Sequence, residues 1–208
     1  MQEIIYDNFE WSSKDNNKFN ETKFENKRLF RKPTDAREIY TDGGSRMITC
    51  ENGKQIRIGA WAFYDTVIDL VTGDFYESGT NNQMELTAVI EALKHLDSIG
   101  FPKDSWVIIN LDSEYVRMGI LFWVKKWILN DWSRVNKNGE KEEIKNRDLW
   151  ETLYNLSKER KIYWNHVSGH SGNEGNDKVD IECTTIILEK EKEIKENNRG
   201  WKIWKVQI

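Results

Sequence analysis

The sequence predicts an α/β fold built on a five-stranded mixed sheet, three antiparallel strands followed by parallel ones, with helices on its faces. Three observations carry this. Strand-like runs joined by turn residues occupy 38–78. A segment with helical apolar spacing follows over 82–96. The continuous apolar run 106–111 then has the length and composition of a strand buried on both faces. The order βββ-α-β-α…α-β-α requires a sheet with helices packed against it.

In chain order, residues 1–37 read as an N-terminal extension, irregular or weakly helical. Charges are interleaved with Asn, aromatics lack a clear period, and a basic cluster (Lys27, Arg28, Arg31, Lys32) ends at Pro33. Residues 38–42 form a short strand ending in Asp-Gly-Gly. Residues 57–64 and 67–71 alternate as strands, and Thr72-Gly73-Asp74 reads as the hairpin turn into 75–78. Over 82–96, Leu86, Val89, Ile90, Leu93 and Leu96 recur at helical spacing, with Thr80 and Asn81 placed to cap. Residues 113–120 and 121–129 suggest two helices broken near Gly119, and 131–145 is polar and loop-like. A helix over 147–160, a strand over 162–167 and the loop Ser168-Gly169-His170-Ser171-Gly172 come next. The last helix runs from near Gly175 to about Lys195. A tail, 196–208, alternates again from Trp201. No internal repeat is visible.

Composition excludes several classes. With 38% apolar, 12% aromatic and 32% charged residues, the 208-residue chain is too apolar for disorder and too charged for a membrane protein. Two cysteines, Cys50 and Cys183, rule out a disulfide scaffold and argue against a cysteine-based zinc site. The N-terminal residues lack a signal-peptide order, so a reducing cytoplasm is the expected compartment. A net charge of −4 excludes coating nucleic acid by bulk charge, though not a nucleic-acid enzyme whose charges are segregated.

Carboxylates sit at the ends of the core elements. Asp42 ends the first strand, Glu85 lies in the first turn of the first long helix, Asp112 ends the central strand, and Asp177 and Asp180 open the last helix. Each has an ordinary reading: a turn residue, a partner for the helix dipole, or a cap. Strand C-termini and helix N-termini can also converge on one edge of an open sheet. Acids gathered there repel one another unless cations neutralise them, and oxygen-only ligands favour Mg²⁺ or Mn²⁺. Two such ions roughly 3.5–4 Å apart would clamp the attacking and leaving oxygens of a phosphoryl displacement.

Four strings, in order, carry a family resemblance: Ile39-Tyr40-Thr41-Asp42-Gly43-Gly44; Thr80-Asn81-Asn82-Gln83-Met84-Glu85-Leu86; Leu111-Asp112-Ser113-Glu114-Tyr115-Val116; and His166 through Asp180, with its Gly169-His170-Ser171-Gly172 loop. Over about residues 38–184 the chain resembles type 1 ribonuclease H. The resemblance implies the RNase H-like fold, with a catalytic domain over 38–195. It also implies a metal-dependent endonuclease that cuts the RNA strand of RNA–DNA hybrids, leaving 5′-phosphate and 3′-hydroxyl ends. Two Mg²⁺ ions per site are implied, with Mn²⁺ able to substitute. The implied ligands are Asp42 (bridging both ions), Glu85, Asp112 and Asp180. Asp180 fits the last position because it lies ten residues after His170, and Asp177 reads as a helix N-terminal charge. His170, on its Gly-flanked loop, resembles the family histidine that assists proton transfer or product departure.

The same resemblance implies substrate contacts at Gly43, Thr80, Asn81, Asn82, Trp127 and Asn146. Asn81 and Asn82 suit the 2′-hydroxyls of the wide minor groove. They also suit an N-cap, as Asn146 suits the cap of the helix at 147, and helical spacing equally allows Trp123 and Trp127 to be core. Glu114 departs from the Gln or Asn common in the family, which puts a donor contact to a base edge in doubt. Residues 121–145 resemble the family's basic handle. Between 125 and 147, seven basic residues stand against four acidic ones, a net of +3. Acids crowd the handle's tip, so a weaker hold on the hybrid and a shallower salt dependence are expected. A monomer with an RNA–DNA hybrid as partner and no membrane association is expected. The competing readings are a hybrid-binding module with weak catalysis and a related polynucleotidyl transferase or resolvase.

Overall fold

The computed structural model describes residues 32–50, 53–169 and 172–204, with side chains as far as 196. Most of the expected extension, including Lys27, Arg28 and Arg31, lies outside the described residues, as do His170 and 205–208.

The elements run β1 (Arg37–Thr49), β2 (Gln55–Asp65), β3 (Leu70–Glu77), α1 (Asn81–Ser98), β4 (Trp106–Leu111), α2 (Glu114–Met118), a π-helical stretch (Gly119–Trp123), α3 (Val124–Leu129), β5 (Ser133–Val135), β6 (Lys141–Glu143), α4 (Arg147–Ser157), β7 (Lys161–His166) and α5 (Glu174–Trp204). The main sheet has the order β3-β2-β1-β4-β7. β1, β2 and β3 pair antiparallel, and β4 and β7 join parallel to β1 and to each other. This is the mixed five-stranded sheet expected from the sequence.

Strand alternation divides the core. Ile39, Val107, Ile109 and Leu111 face α1 and α4, where Leu86, Leu93, Leu96, Trp150 and Leu153 are fully buried. Ile58, Ala60 and Ala62 face α5, against Val179, Cys183 and Ile187. Burying each large apolar side chain is worth about 1.5–3 kcal/mol, so the two layers hold the sheet edge in place.

Several boundaries differ from expectation. The β2–β3 turn is Thr66–Asp69, not Thr72-Gly73-Asp74, and Gly73 sits inside β3 opposite Ala62. A side chain at Gly73 would overlap the Trp61 carbonyl and meet Ile186 Cδ1 at 2.8 Å, so this glycine serves close packing. Asp69 takes the left-handed conformation the turn needs (φ 51°). The expected helix break near Gly119 is instead a π-helical stretch that keeps the rod continuous into α3. Gly119 is required there because a Cβ would run into the Trp150 ring. The expected loop at 131–145 contains the β5–β6 hairpin. α5 runs on to Trp204, so the alternation seen from Trp201 is not a strand over 201–204.

Candidate metal centre and adjoining cleft

The parallel register pairs Thr41 with Leu111, so the next residues, Asp42 and Asp112, emerge side by side from β1 and β4. Glu85 arrives from α1. Thr80 caps that helix in a reciprocal box: Gln83 N donates to Thr80 Oγ1 (3.4 Å) and Thr80 N donates to Gln83 Oε1 (2.9 Å). Gly43 then lets α1 lie directly on β1, since any Cβ there would overlap the Met84–Glu85 backbone. The outcome is a set of three carboxylates, Asp42, Glu85 and Asp112, with one oxygen each mutually within 4.8 Å. α1 begins at Asn81 and carries no acid in its first turn, so Glu85 is not a dipole partner of the kind expected.

The cluster is electrostatically uncomfortable. Burial first, then the charges of Asp112 and Asp180, raise Asp42 from the ordinary 3.8 to about 6, against the lowering effect of hydrogen bonds from Gly43 and Cys183. Burial, then Asp42 and Asp112, hold Glu85 well above the usual carboxylate range. Both groups hold a proton more readily than an ordinary carboxylate, and a bound cation would offset the same repulsion. Three oxygen donors of this kind fit a hard divalent ion, and the site's chemistry matches that group.

Asp180 lies close enough to act on Asp42 and on Cys183, but stands outside the mutually close trio. Asp177 is also outside it. The helix that carries both is capped by Asn173, whose Oδ1 accepts from Gly175 N (3.1 Å) and Asn176 N (3.2 Å). His170 lies outside the described residues. Its neighbour Gly169 packs against Asp112, where a Cβ would be 2.9 Å from Oδ2.

A cleft of about 330 Å³ is lined by Asn82, Tyr115, Trp123, Trp127, Arg134, Ile144, Lys145 and Asn146, of which Asn82 and Tyr115 each stand three residues along the chain from an acid of the trio, Glu85 and Asp112. It therefore gathers Asn82, Trp127 and Asn146 on one surface. Trp127 also packs on the core, with its ring 5.4 Å from that of Trp150, so one side chain both lines the cleft and joins the core. Asn146 occupies the cap position of α4 in a left-handed conformation, yet makes no side-chain cap bond. Its Nδ2 donates instead to the Tyr115 hydroxyl (3.3 Å), which also accepts from Trp150 Nε1 (3.0 Å). Asn81 Oδ1 accepts from Ser45 Oγ at 2.7 Å. Glu114 is bound to Arg117 (3.1 Å) and lies 3.3 Å from His166 Nε2.

Sequence reasoning misses three participants. Cys183, one helical turn after Asp180, points its thiol at the Asp42 carbonyl (3.4 Å) and is driven far upward by burial and the neighbouring acids. Its helical spacing from Asp180 is the available signal. Tyr115 bridges the cleft wall, and only its place three residues after Asp112 hints at this. Lys178 reaches the Tyr64 hydroxyl (3.0 Å) and Asp69 Oδ1 (3.2 Å), a contact across more than a hundred residues that no local pattern announces.

Among the described residues, no helix is long and apolar enough to cross a membrane. Residues 34–186 match a family model described as RNase H. A ribonuclease H of Orientia tsutsugamushi (strain Boryong) is 44% identical over 166 residues, covering 79% of this chain and 89% of that protein. Two solved structures share the fold. LC9-RNase H1, a type 1 RNase H with the type 2 active-site motif, aligns over 76% of this chain and 75% of its own, with a TM-score of 0.52 and 21% identity. The foamy viral protease-reverse transcriptase in complex with RNA/DNA hybrid aligns over 77% of this chain and 22% of its own, with a TM-score of 0.55 and 19% identity.

Proposed function

Because the chain belongs to the ribonuclease H family, by its match over 34–186 and its 44% identity to a curated relative, we propose that it hydrolyses the RNA strand of RNA–DNA hybrids with two Mg²⁺ ions, Mn²⁺ being able to substitute. The observation that carries this is the meeting of Asp42, Glu85 and Asp112, two of them held above the ordinary carboxylate range by burial and by their acidic neighbours. Asp180 completes the ligand set from α5. When bound, the ions supply an activated water and stabilise the leaving 3′-oxygen. The chain's residues do the rest. Asp42 would serve both ions, Glu85 and Asp112 would hold the one that stabilises the leaving oxygen, and Asp180 would hold the one that activates the water. His170, next in sequence after Gly169, would take or return a proton or assist product departure.

The substrate lies across the α1 start and the cleft. Asn81 and Asn82 address the 2′-hydroxyls and base edges beside Gly43. Thr80 and Asn146 hold a DNA-strand phosphate, and Trp127 packs against its sugar–phosphate path. The three close carboxylates and the cleft come from one chain, so this reading needs no second copy. Cys50 and Cys183, both buried and unbridged, accord with a reducing compartment such as the cytoplasm.

The test is cleavage of a labelled RNA–DNA hybrid beside DNA and RNA duplexes and a branched junction, in Mg²⁺, in Mn²⁺ and with chelator. Cleavage confined to the RNA of the hybrid, ion-dependent and lost in Asp42→Asn, is the expected result. Hybrid binding without cleavage in either ion, or cleavage of the junction instead, overturns the proposal.

A further inference from the structure

With one strand of the hybrid tracking the cleft, the proposed path on which this inference rests, the cationic side chains available to it there are Arg134 and Lys145. Arg134 does not face the cleft alone. The hairpin register sets it directly across from Glu142, and its Nε donates to Glu142 Oε1 at 2.5 Å. Arg147, at the hairpin's exit, is likewise shared between Glu143 (3.3 Å) and Glu151 (2.8 Å). Both arginines between 125 and 147 are thus engaged by glutamates of the same surface.

We infer that Glu142 is an internal competitor for the phosphate at Arg134, and that this contact sets how tightly and how salt-sensitively the hybrid is held. A guanidinium offers a planar fork of donors that matches phosphate oxygens. With Nε given to a carboxylate, the fork is incomplete, and an incoming phosphate meets the glutamate's charge as well. The phosphate must displace Glu142 or bind beside it. Either way Arg134 contributes less than one full cation to counterion release. The pair is exposed, 54% at Arg134 and 38% at Glu142, and such pairs are weak, so the carboxylate can be displaced.

The experiment is binding of a fluorescent RNA–DNA hybrid by metal-free full-length protein, monitored by anisotropy across a salt series, for wild type, Glu142→Gln, Arg134→Ala and the double variant. Melting curves check that all four fold alike. Glu142→Gln is expected to tighten Kd about threefold at low salt and to steepen the log–log salt slope by up to about one. Arg134→Ala is expected to weaken binding, and the double variant should match Arg134→Ala alone. An unchanged Kd and slope in Glu142→Gln, with Arg134→Ala still weakening, overturns the competition while leaving the cleft reading intact. A gain from Glu142→Gln that persists without Arg134 also overturns it, since general charge removal then suffices. If neither variant changes binding, the cleft reading itself fails.

Discussion

At Asp42, burial and the charges of Asp112 and Asp180 lift the carboxyl from 3.8 to about 6. In the metal-free protein the folded state therefore holds more protons than the unfolded state between those values. Stability falls as pH rises through that window and stays reduced above it. Replacing the acid with Asn removes the penalty. The Asp42→Asn variant should abolish cleavage, yet melt higher than wild type in chelator at pH 8. The expected gain is on the order of 2 kcal/mol, or about 5 °C. Near pH 4 the two should melt together. A variant that melts lower than wild type at pH 8 would show that the acids do not strain one another. Beside it, Gly43 acts through contact and not charge. Gly43→Ala forces a methyl into the Met84–Glu85 backbone, so α1 must lift away from β1. A loss of about 2–3 kcal/mol in urea unfolding is expected, with Mg²⁺ binding by calorimetry weakened as Glu85 moves off.

At the scale of elements, α5 carries Asp180 and is pinned at its start. Gly175 lies flat on Tyr40, and Lys178 bonds the Tyr64 hydroxyl and Asp69 while sitting 4.2 Å over the Tyr64 ring. Tyr64→Phe keeps the ring and the direct Lys178–Asp69 contact and removes only the hydroxyl that both of them also bond. The fold should persist, while the ion concentration needed for half-saturation rises several-fold and KM for the hybrid stays put. Equal shifts in both would mean that α5 has only a general structural role. The π-helical stretch is a second joint, where Gly119→Ala should cost about 2–3 kcal/mol because Trp150 cannot retreat from the core. These elements show what local patterns carry. Periodicity marks α1 and β4 because each buries a continuous apolar face, and the acids at their ends are placed as a direct consequence. The β2–β3 turn escapes a reading by residue type because Gly73 looks like a turn former although its packing against Trp61 demands it in a strand. The β5–β6 hairpin is invisible because its three-residue strands bury almost nothing. The Lys178 anchor depends on partners over a hundred positions away, which no window contains.

Across the molecule, charge is sorted: the net is −4 overall and +3 over 125–147, with acids gathered where β1, β4 and α1 meet. The acid end can approach a polyanion only when its charge is reversed, and protons and divalent ions compete to do that. Asp42 near 6 and Glu85 above its usual range mean that below about pH 6 an ion must displace protons to bind, whereas at pH 8 at least Asp42 is already free. Losing one such proton costs roughly tenfold in apparent affinity per pH unit. Mg²⁺ stabilises the folded chain according to how far its concentration exceeds Kd. The Mg²⁺-induced rise in melting temperature should therefore be large at pH 8 and shrink steeply towards pH 5. It should be smaller at pH 8 in Asp42→Asn, which has lost the charge that the protons and ions contest. Melting curves at matched ionic strength, with Mg²⁺ against chelator, read this directly. A rise of equal size at both pH values would place the ion away from these carboxylates.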